Sequence, residues 1–175
     1  HALSGIEVDM AVRSRRTFRE HVYQPLVEEG VEPDLARDLT MTLIDTVLGK
    51  SMRREVEEDE GSLETSQVTV LGPAEVDYLR GLAEAPTPVE ALEDLLSDRE
   101  IKQNLKALGH AAGLGLDVAM HGRMVTSDKL AQMDAAIHVA HAFTTHEESA
   151  ETDYFTAVDD LAEAAGELGS GHLNT

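Results

Sequence analysis

The residues best suited to metal chemistry are three histidines close together in the chain, His138, His141 and His146. On a strand, His138 and His141 project from opposite faces, so they could share one ion only if this segment were a helix. Otherwise they are polar residues of a half-buried strand. The adjacent carboxylates Asp159 and Asp160 could bind a hard cation or act as an acid/base pair, although such neighbours in an acidic chain are usually solvated or cap helices.

Three other features could act on stacked nucleic-acid bases. They are Gly122-Arg123-Met124, the aromatic pair Tyr154-Phe155 in a polar segment, and the string FTAVDD that begins at Phe155. Aromatic and methionine side chains exposed on loops can insert between bases or support them by stacking. The alternative is that Tyr154 and Phe155 pin a loop to the core of their own chain.

Motifs for the commonest enzyme chemistries are missing from the sequence. It has no Gly-Lys-Ser/Thr phosphate loop, no GxGxxG after a strand and no GxSxG elbow. It also has no cysteine, which excludes disulfides, thiolate zinc sites and a cysteine nucleophile, and which fits a cytoplasmic location. We therefore predict a protein that is not an enzyme and uses no cofactor.

The composition indicates a folded, acidic and mainly helical protein with one main compact unit. Of 175 residues, 34 are acidic and 14 are basic, so the net charge is −20, while 42% are hydrophobic. Only 3% are aromatic, and a core of Leu, Val, Ile, Ala and Met is more usual for helices than for a β-sandwich. No apolar run approaches the roughly 20 residues that span a bilayer. An all-β fold and a membrane protein are excluded, and the charge alone argues against nucleic-acid binding.

Hydrophobic spacing and helix breakers predict the elements of the first two thirds of the chain. A basic segment over 12–26 leads into a helix that Pro25 interrupts, and an acidic loop covers 55–66. The β-branched run 67–71 predicts a strand. Further helices are predicted over residues 33–48, 74–85, 89–96 and 101–108.

From Leu116 the pattern changes to alternation. Leu116, Val118 and Met120 alternate with more polar residues, which predicts a strand followed by a turn at Gly122. Apolar residues of one parity in 135–146 predict a second strand, although the alanines of this segment would also suit a helix. The whole chain is therefore expected to be α+β and predominantly helical.

Several ordered motifs lie between Leu116 and Leu161, namely LDVAMHGRM, AHAFTTH and DYFTAVDDL. In these motifs the chain resembles the CasC-type backbone subunit of the type I-E CRISPR surveillance complex, Cascade, a member of the RAMP superfamily. The resemblance extends more loosely upstream through VRSRRTF, LGK and VTVLGPAEV. Because the family chain is about twice as long, we expect these residues to be its middle fragment.

The resemblance implies a helical finger domain, inserted into part of an RRM-like palm that carries a flexible thumb hairpin. On that map residues 1–115 are the fingers, 116–146 the palm strands and 147–175 a truncated thumb. The implied function is a non-catalytic RNA-binding backbone subunit that coats the CRISPR RNA spacer in antiviral defence. The implied partners are CRISPR RNA, other copies of the subunit, other Cascade subunits and, in the assembled complex, target DNA, with no membrane.

The resemblance also implies which residues contact RNA: Arg123, Met124, Tyr154, Phe155 and Thr156. Some relatives touch target DNA with a lysine-rich finger helix, for which this chain offers only weak candidates among several acids, Arg99, Lys102 and Lys106. Two alternative functions stay open, an acidic helical protein-interaction module and a His/Asp metallohydrolase.

Overall fold

The computed structural model describes residues 9–52, 63–84, 88–97, 99–110, 114–125, 127, 129–141, 143, 145, 156–166 and 171–172. Over these residues the chain has the predicted α+β fold and is predominantly helical. None of the helices in these ranges is long and apolar enough to cross a membrane.

The helices and strands follow one another in a mixed order. The α-helices of the described residues are α1 (Gln24–Glu28), α2 (Pro33–Val47), α3 (Pro73–Glu84), α4 (Val89–Ser97), α5 (Arg99–His110), α6 (Leu116–His121) and α7 (Asp160–Ala164). A π-helix (Arg19–Tyr23) precedes α1, and a short 3-10 helix (Lys50–Met52) follows α2. The strands are β1 (Val12–Ser14), β2 (Thr69–Leu71), β3 (Thr156–Ala157) and β4 (Gly171–His172).

Helix α2 shows why the periodic segments were predictable. The Glu32 carboxylate accepts hydrogen bonds from the amides of Asp34 and Leu35 at 3.0 and 3.1 Å, and Pro33 needs no amide hydrogen in the first turn. Gly49 adopts φ +97° just after the helix, a conformation that favours glycine. The predicted helices 33–48, 74–85, 89–96 and 101–108 are confirmed by α2, α3, α4 and α5, and strand 67–71 by β2.

The main core lies among α2, α3, α4, α5 and the π-helix. Leu39, Leu43 and Ile44 of α2 are fully buried there. They belong to one cluster with Phe18, Leu26, Leu71, Leu79, Leu92, Leu96 and Leu105. Burying such side chains contributes about 1.5–3 kcal/mol each relative to exposure, which makes this cluster the main source of stability.

The segment 12–26 differs from its prediction in two respects. Val12–Ser14 is strand β1, which pairs antiparallel with β2 so that Val12 lies opposite Leu71. Pro25 does not interrupt the helix that follows, because the Gln24 amide donates to Arg19 five residues back and the π-helix continues into α1. The wider turn accommodates a proline that has no amide hydrogen to donate.

The predicted strand over 116–120 is wrong, since these residues form α6. Gly115 (φ +99°) and Gly122 (φ +78°) turn the chain at the two ends of this helix. The neighbours Asp117 and Val118 are both buried, as one face of a helix allows, whereas a strand would point them to opposite faces. Five alternating residues were too few to distinguish the two periods.

The predicted strand over 135–146 is not present in its described part, residues 135–141, 143 and 145. One backbone hydrogen bond is formed there, from the Ile137 amide to the carbonyl of Met120 in α6 at 3.0 Å. Val139 and Phe143 are 91% and 93% exposed. A strand needs a neighbouring strand to pair with, and the described residues supply none at this place.

Candidate nucleic-acid interface

The Gly-Arg-Met motif follows α6 and is joined to Met133 by one antiparallel β-bridge, and these two bridged segments are called the ribbon below. Arg123 and Met133 exchange both backbone hydrogen bonds, at 2.8 and 3.0 Å. Gly122 is required before them, because a Cβ at this position would lie 2.6 Å from the Met133 carbonyl oxygen. The ribbon therefore fixes the backbone on both sides of Arg123.

The Arg123 side chain points into the protein. Its guanidinium forms a bidentate ion pair with the Glu75 carboxylate, with N···O distances of 2.6 and 2.8 Å. The same group donates to the Val70 carbonyl at 3.1 Å and twice to the Ala131 carbonyl, at 2.9 and 3.2 Å. The side chains of Arg123 and Glu75 are 1% and 0% exposed. Arginine has five N–H donors, and all five are used within the chain, so none is available to an RNA phosphate in this arrangement.

Glu75 is a site residue that the sequence reasoning missed. It lies in the first turn of α3, where its carboxylate also accepts a hydrogen bond from the Gly72 amide at 3.0 Å. This is the reach of a capping-box glutamate back to the residue before the helix, and the spacing of Gly72-Pro73 and Glu75 was the signal available in the sequence. Gly109 of α5 closes over the pair, since a Cβ there would lie 3.1 Å from both Arg123 Nη2 and Glu75 Oε1.

Met124, the next residue, points outward and is 91% exposed. Val125 after it packs against the main core. Met124 lines two pockets, one of about 120 Å³ with Leu48 and Leu71, and an open one of about 320 Å³ with His121 and Asp134. Met124 thus follows a buried arginine and precedes a half-buried valine, and its exposed thioether is available for contact with a planar apolar surface.

The thumb residues predicted to contact RNA are described only in part. Tyr154 and Phe155 lie outside the described residues. Thr156 belongs to β3 and pairs with His172 of β4.

The Asp159-Asp160 pair is engaged within the fold. The Asp159 carboxylate accepts from the Ser14 hydroxyl at 2.5 Å, from the Arg15 amide at 2.9 Å and from the Ala162 amide at 3.1 Å. Burial by itself raises the pKa of Asp159, but these hydrogen bonds together outweigh it, so the pKa lies below its ordinary value. Asp160 accepts from the Arg13 amide at 3.0 Å.

A third carboxylate continues this arrangement along β1. The Ala11 amide donates to Asp117 of α6 at 3.0 Å, so the amides of residues 11, 13 and 15 each meet an aspartate. The Arg13 guanidinium lies between two of these carboxylates, 3.3 Å from Asp117 and 3.4 Å from Asp160. The three carboxylates therefore accept hydrogen bonds from backbone amides along one edge of β1.

The histidine cluster has no ligand geometry in the part of the chain that is described. His138 and His141 are exposed, and the His141 ring lies 6.4 Å from the Phe143 ring. No group of three or more His, Asp or Glu side chains that could hold a metal ion occurs among the described residues. His146 lies outside them.

The three basic residues predicted as weak nucleic-acid contacts share one side of α5. Arg99, Lys102 and Lys106 are spaced three and four residues apart, and Arg99 and Lys106 are exposed. They precede Gly109 by about 15, 10 and 5 Å along the helix axis at 1.5 Å per residue. The basic stripe therefore runs away from the end of α5 that touches the Arg123 pair.

Comparison with known proteins identifies the family. Residues 2–175 match the family model of the CT1975-like protein, so the chain belongs to the CT1975-like protein family. No curated protein matches the chain.

The solved structures similar to the chain include two from CRISPR surveillance complexes. One, from a CRISPR RNA-guided surveillance complex, is 28% identical over 83% of this chain with a TM-score of 0.56. Another, from such a complex in a pre-nicking state, is 31% identical over 99% of this chain, also with a TM-score of 0.56. The matches cover 44% and 46% of those chains, so this sequence spans less than half their length.

Proposed function

We propose that the chain is part of a non-catalytic, RNA-binding backbone subunit of a CRISPR surveillance complex, similar to CasC of type I-E Cascade. The observation that carries this proposal is Met124, an apolar side chain that is almost fully exposed beside the hydrogen-bonded pair Arg123 and Met133. The family and the surveillance-complex relatives supply the context in which such a side chain would meet RNA. Target DNA and other subunits of the complex are the further proposed partners.

The contact that Met124 could make is apolar and independent of base sequence. A thioether can lie against the face of any base, and stacking of this kind tolerates every sequence because each base has a π-face. A subunit that coats an RNA needs this tolerance. Tyr154, Phe155 and Thr156 are proposed to complete the contact from the thumb.

The proposed role of Arg123 differs from that of Met124. Its donors are used by Glu75, Val70 and Ala131, so we assign it to holding the ribbon rather than to binding a phosphate. Arg99 and Lys106 of α5 are the exposed cations proposed as weak contacts. A net charge of −20 repels phosphate on average, which favours apolar contacts with RNA over ion pairs with its phosphates for this part of the protein.

The proposed domain organisation remains fingers over 1–115, palm over 116–146 and thumb over 147–175. The core formed by α2 to α5 belongs to the proposed fingers. The ribbon that carries Met124 and the exposed residues Val139 and Phe143 belong to the proposed palm.

The test is purification of the complete natural protein followed by extraction of bound nucleic acid. We expect short RNA to copurify, and we expect Met124→Ala to reduce its amount. The matched control is Leu95→Ala, which shortens another exposed apolar side chain, on α4. Assembly of the complete protein without RNA, and with no affinity for added RNA, would favour the acidic protein-interaction module instead.

A further inference from the structure

We infer that Glu75 is a positioning residue for Met124, acting through Arg123. This inference rests on the proposed role of Met124 in RNA binding and adds the ion pair that positions Met124 for that role. Glu75 lies on α3, 48 residues before Arg123, and its carboxylate binds the guanidinium at two points. Two parallel hydrogen bonds fix both the distance and the orientation of an arginine.

The position of the Met124 side chain depends on the backbone at this residue and not on packing of the side chain itself. Met124 is 91% exposed, so packing does little to hold it. The residue before it is anchored at Glu75, Val70 and Ala131, and the residue after it packs on the core. The Arg123 anchor, together with the backbone bonds to Met133 and the packing of Val125, therefore determines where the Met124 Cα lies and which way the side chain leaves the surface.

The anchor also connects Met124 to the helical part of the chain. Through Glu75 the guanidinium is tied to the start of α3, and through Val70 to β2. Gly109 of α5 lies directly against the pair, because an added Cβ would lie 3.1 Å from both Arg123 Nη2 and Glu75 Oε1. Movement of α3 or α5 would thus be passed to Met124 through one ion pair.

Glu75→Gln tests the inference with little change in shape. The glutamine keeps the volume but is neutral and has one acceptor oxygen, so the bidentate pair is lost. Gly109→Ala is a second variant that crowds the pair without altering either charged residue. Gly81→Ala is its matched control, because a Cβ at this position in α3 has no atom within 4 Å.

The first measurement is the affinity of the complete protein for fluorescein-labelled single-stranded RNA of mixed sequence. Loss of one stacking contact weakens binding about 5- to 150-fold, the fold-change that corresponds to about 1–3 kcal/mol per base. We expect Met124→Ala to cause such a loss and Glu75→Gln and Gly109→Ala to cause a large part of it. Gly81→Ala should bind as the unmodified protein does.

A double-mutant cycle separates positioning from general loss of structure. If Glu75 acts through Met124, then Glu75→Gln should have no further effect on RNA affinity in the Met124→Ala background. A merely structural role would weaken binding by the same factor in both backgrounds, and that result would overturn the inference. Circular dichroism confirms that each variant is folded at the temperature of measurement.

A second measurement needs no RNA. With methionines labelled at the ¹³C-methyl group, the Met124 signal is identified by its absence in Met124→Ala. We expect Glu75→Gln to shift this signal, while Gly81→Ala leaves it in place. An unchanged signal would refute positioning even if Met124→Ala weakens RNA binding, whereas a shifted signal with no effect of Met124→Ala on RNA would overturn only the proposed RNA contact.

Discussion

The carboxylate of Asp159 accepts a hydrogen bond from the backbone amide of Arg15 at 2.9 Å, although the two residues are 144 positions apart in the chain. The same carboxylate begins α7 by accepting from the Ala162 amide. One side chain thus joins an early strand to a late helix. The FTAVDD string therefore includes a structural anchor beside its proposed RNA-contacting residues.

We predict that Asp159→Ala lowers the free energy of unfolding by about 1–3 kcal/mol, because it removes a helix cap and leaves the Arg15 amide and the Ser14 hydroxyl without their acceptor. Urea unfolding monitored by circular dichroism measures the change. Glu163→Ala, an exposed carboxylate on the same helix, is the control and should cost much less. Equal losses for the two variants would contradict the anchor.

The lowered pKa of Asp159 predicts a pH dependence. The folded state binds this proton less readily than the unfolded state, so the ionised carboxylate stabilises the fold above the unfolded pKa of about 3.8. That contribution is lost as the pH falls through the lower pKa of the folded state. The difference in unfolding free energy between the natural protein and Asp159→Asn should therefore be constant near neutral pH and shrink below about 3.8. A difference that does not change with acidification would show that Asp159 is not the group involved.

The buried pair predicts strong coupling between Glu75 and Arg123. Arg123→Met leaves the Glu75 carboxylate buried without a counter-charge, which should cost about 3–5 kcal/mol. Adding Glu75→Leu to that variant removes the isolated charge and should recover part of the loss. Urea unfolding of the four proteins in this cycle gives the coupling energy, and additive losses would contradict the paired geometry.

Because Met124 is exposed, we predict that its substitution weakens assembly with RNA without lowering the stability of the fold. Met124→Ala should leave the melting temperature of the chain nearly unchanged, because an exposed side chain contributes little to the core. We expect the same when Phe155→Ala is added, because Phe155 is proposed as an RNA contact of the thumb and not as a core residue. The same changes should weaken assembly of the complete protein with RNA. If the variants melt many degrees lower and still assemble normally, these residues belong to the core and the proposed contact is wrong.

The sequence predicted the elements whose signals are local. Helix α2 has a capping glutamate, a proline in its first turn and Gly49 at its end, and each of these acts within a few residues. Strand β1 carries no such signal, because Val12–Ser14 is a strand only through its pairing with β2, more than 50 residues later. The fold class could be predicted for the same reason, since most of the described residues are helical.

Of the two neighbouring residues predicted to contact RNA, the sequence indicated the exposed one but not the burial of the other. Met124 was singled out from its motif, and its exposure is consistent with the proposed contact. Arg123 was predicted as an RNA contact, yet its guanidinium is buried against Glu75. A charge beside a functional residue is solvated or buried depending on a partner elsewhere in the chain, and no local pattern distinguishes the two.

The three aspartates along β1 have a consequence for how copies of this chain can associate. An edge strand with free amides is a template on which another chain can add a strand. Here the amides of Ala11, Arg13 and Arg15 are occupied by carboxylates, and Arg123 occupies the Val70 carbonyl on β2. With these four backbone groups already bonded within the chain, the two-stranded sheet offers a poor template for strand addition by a second molecule.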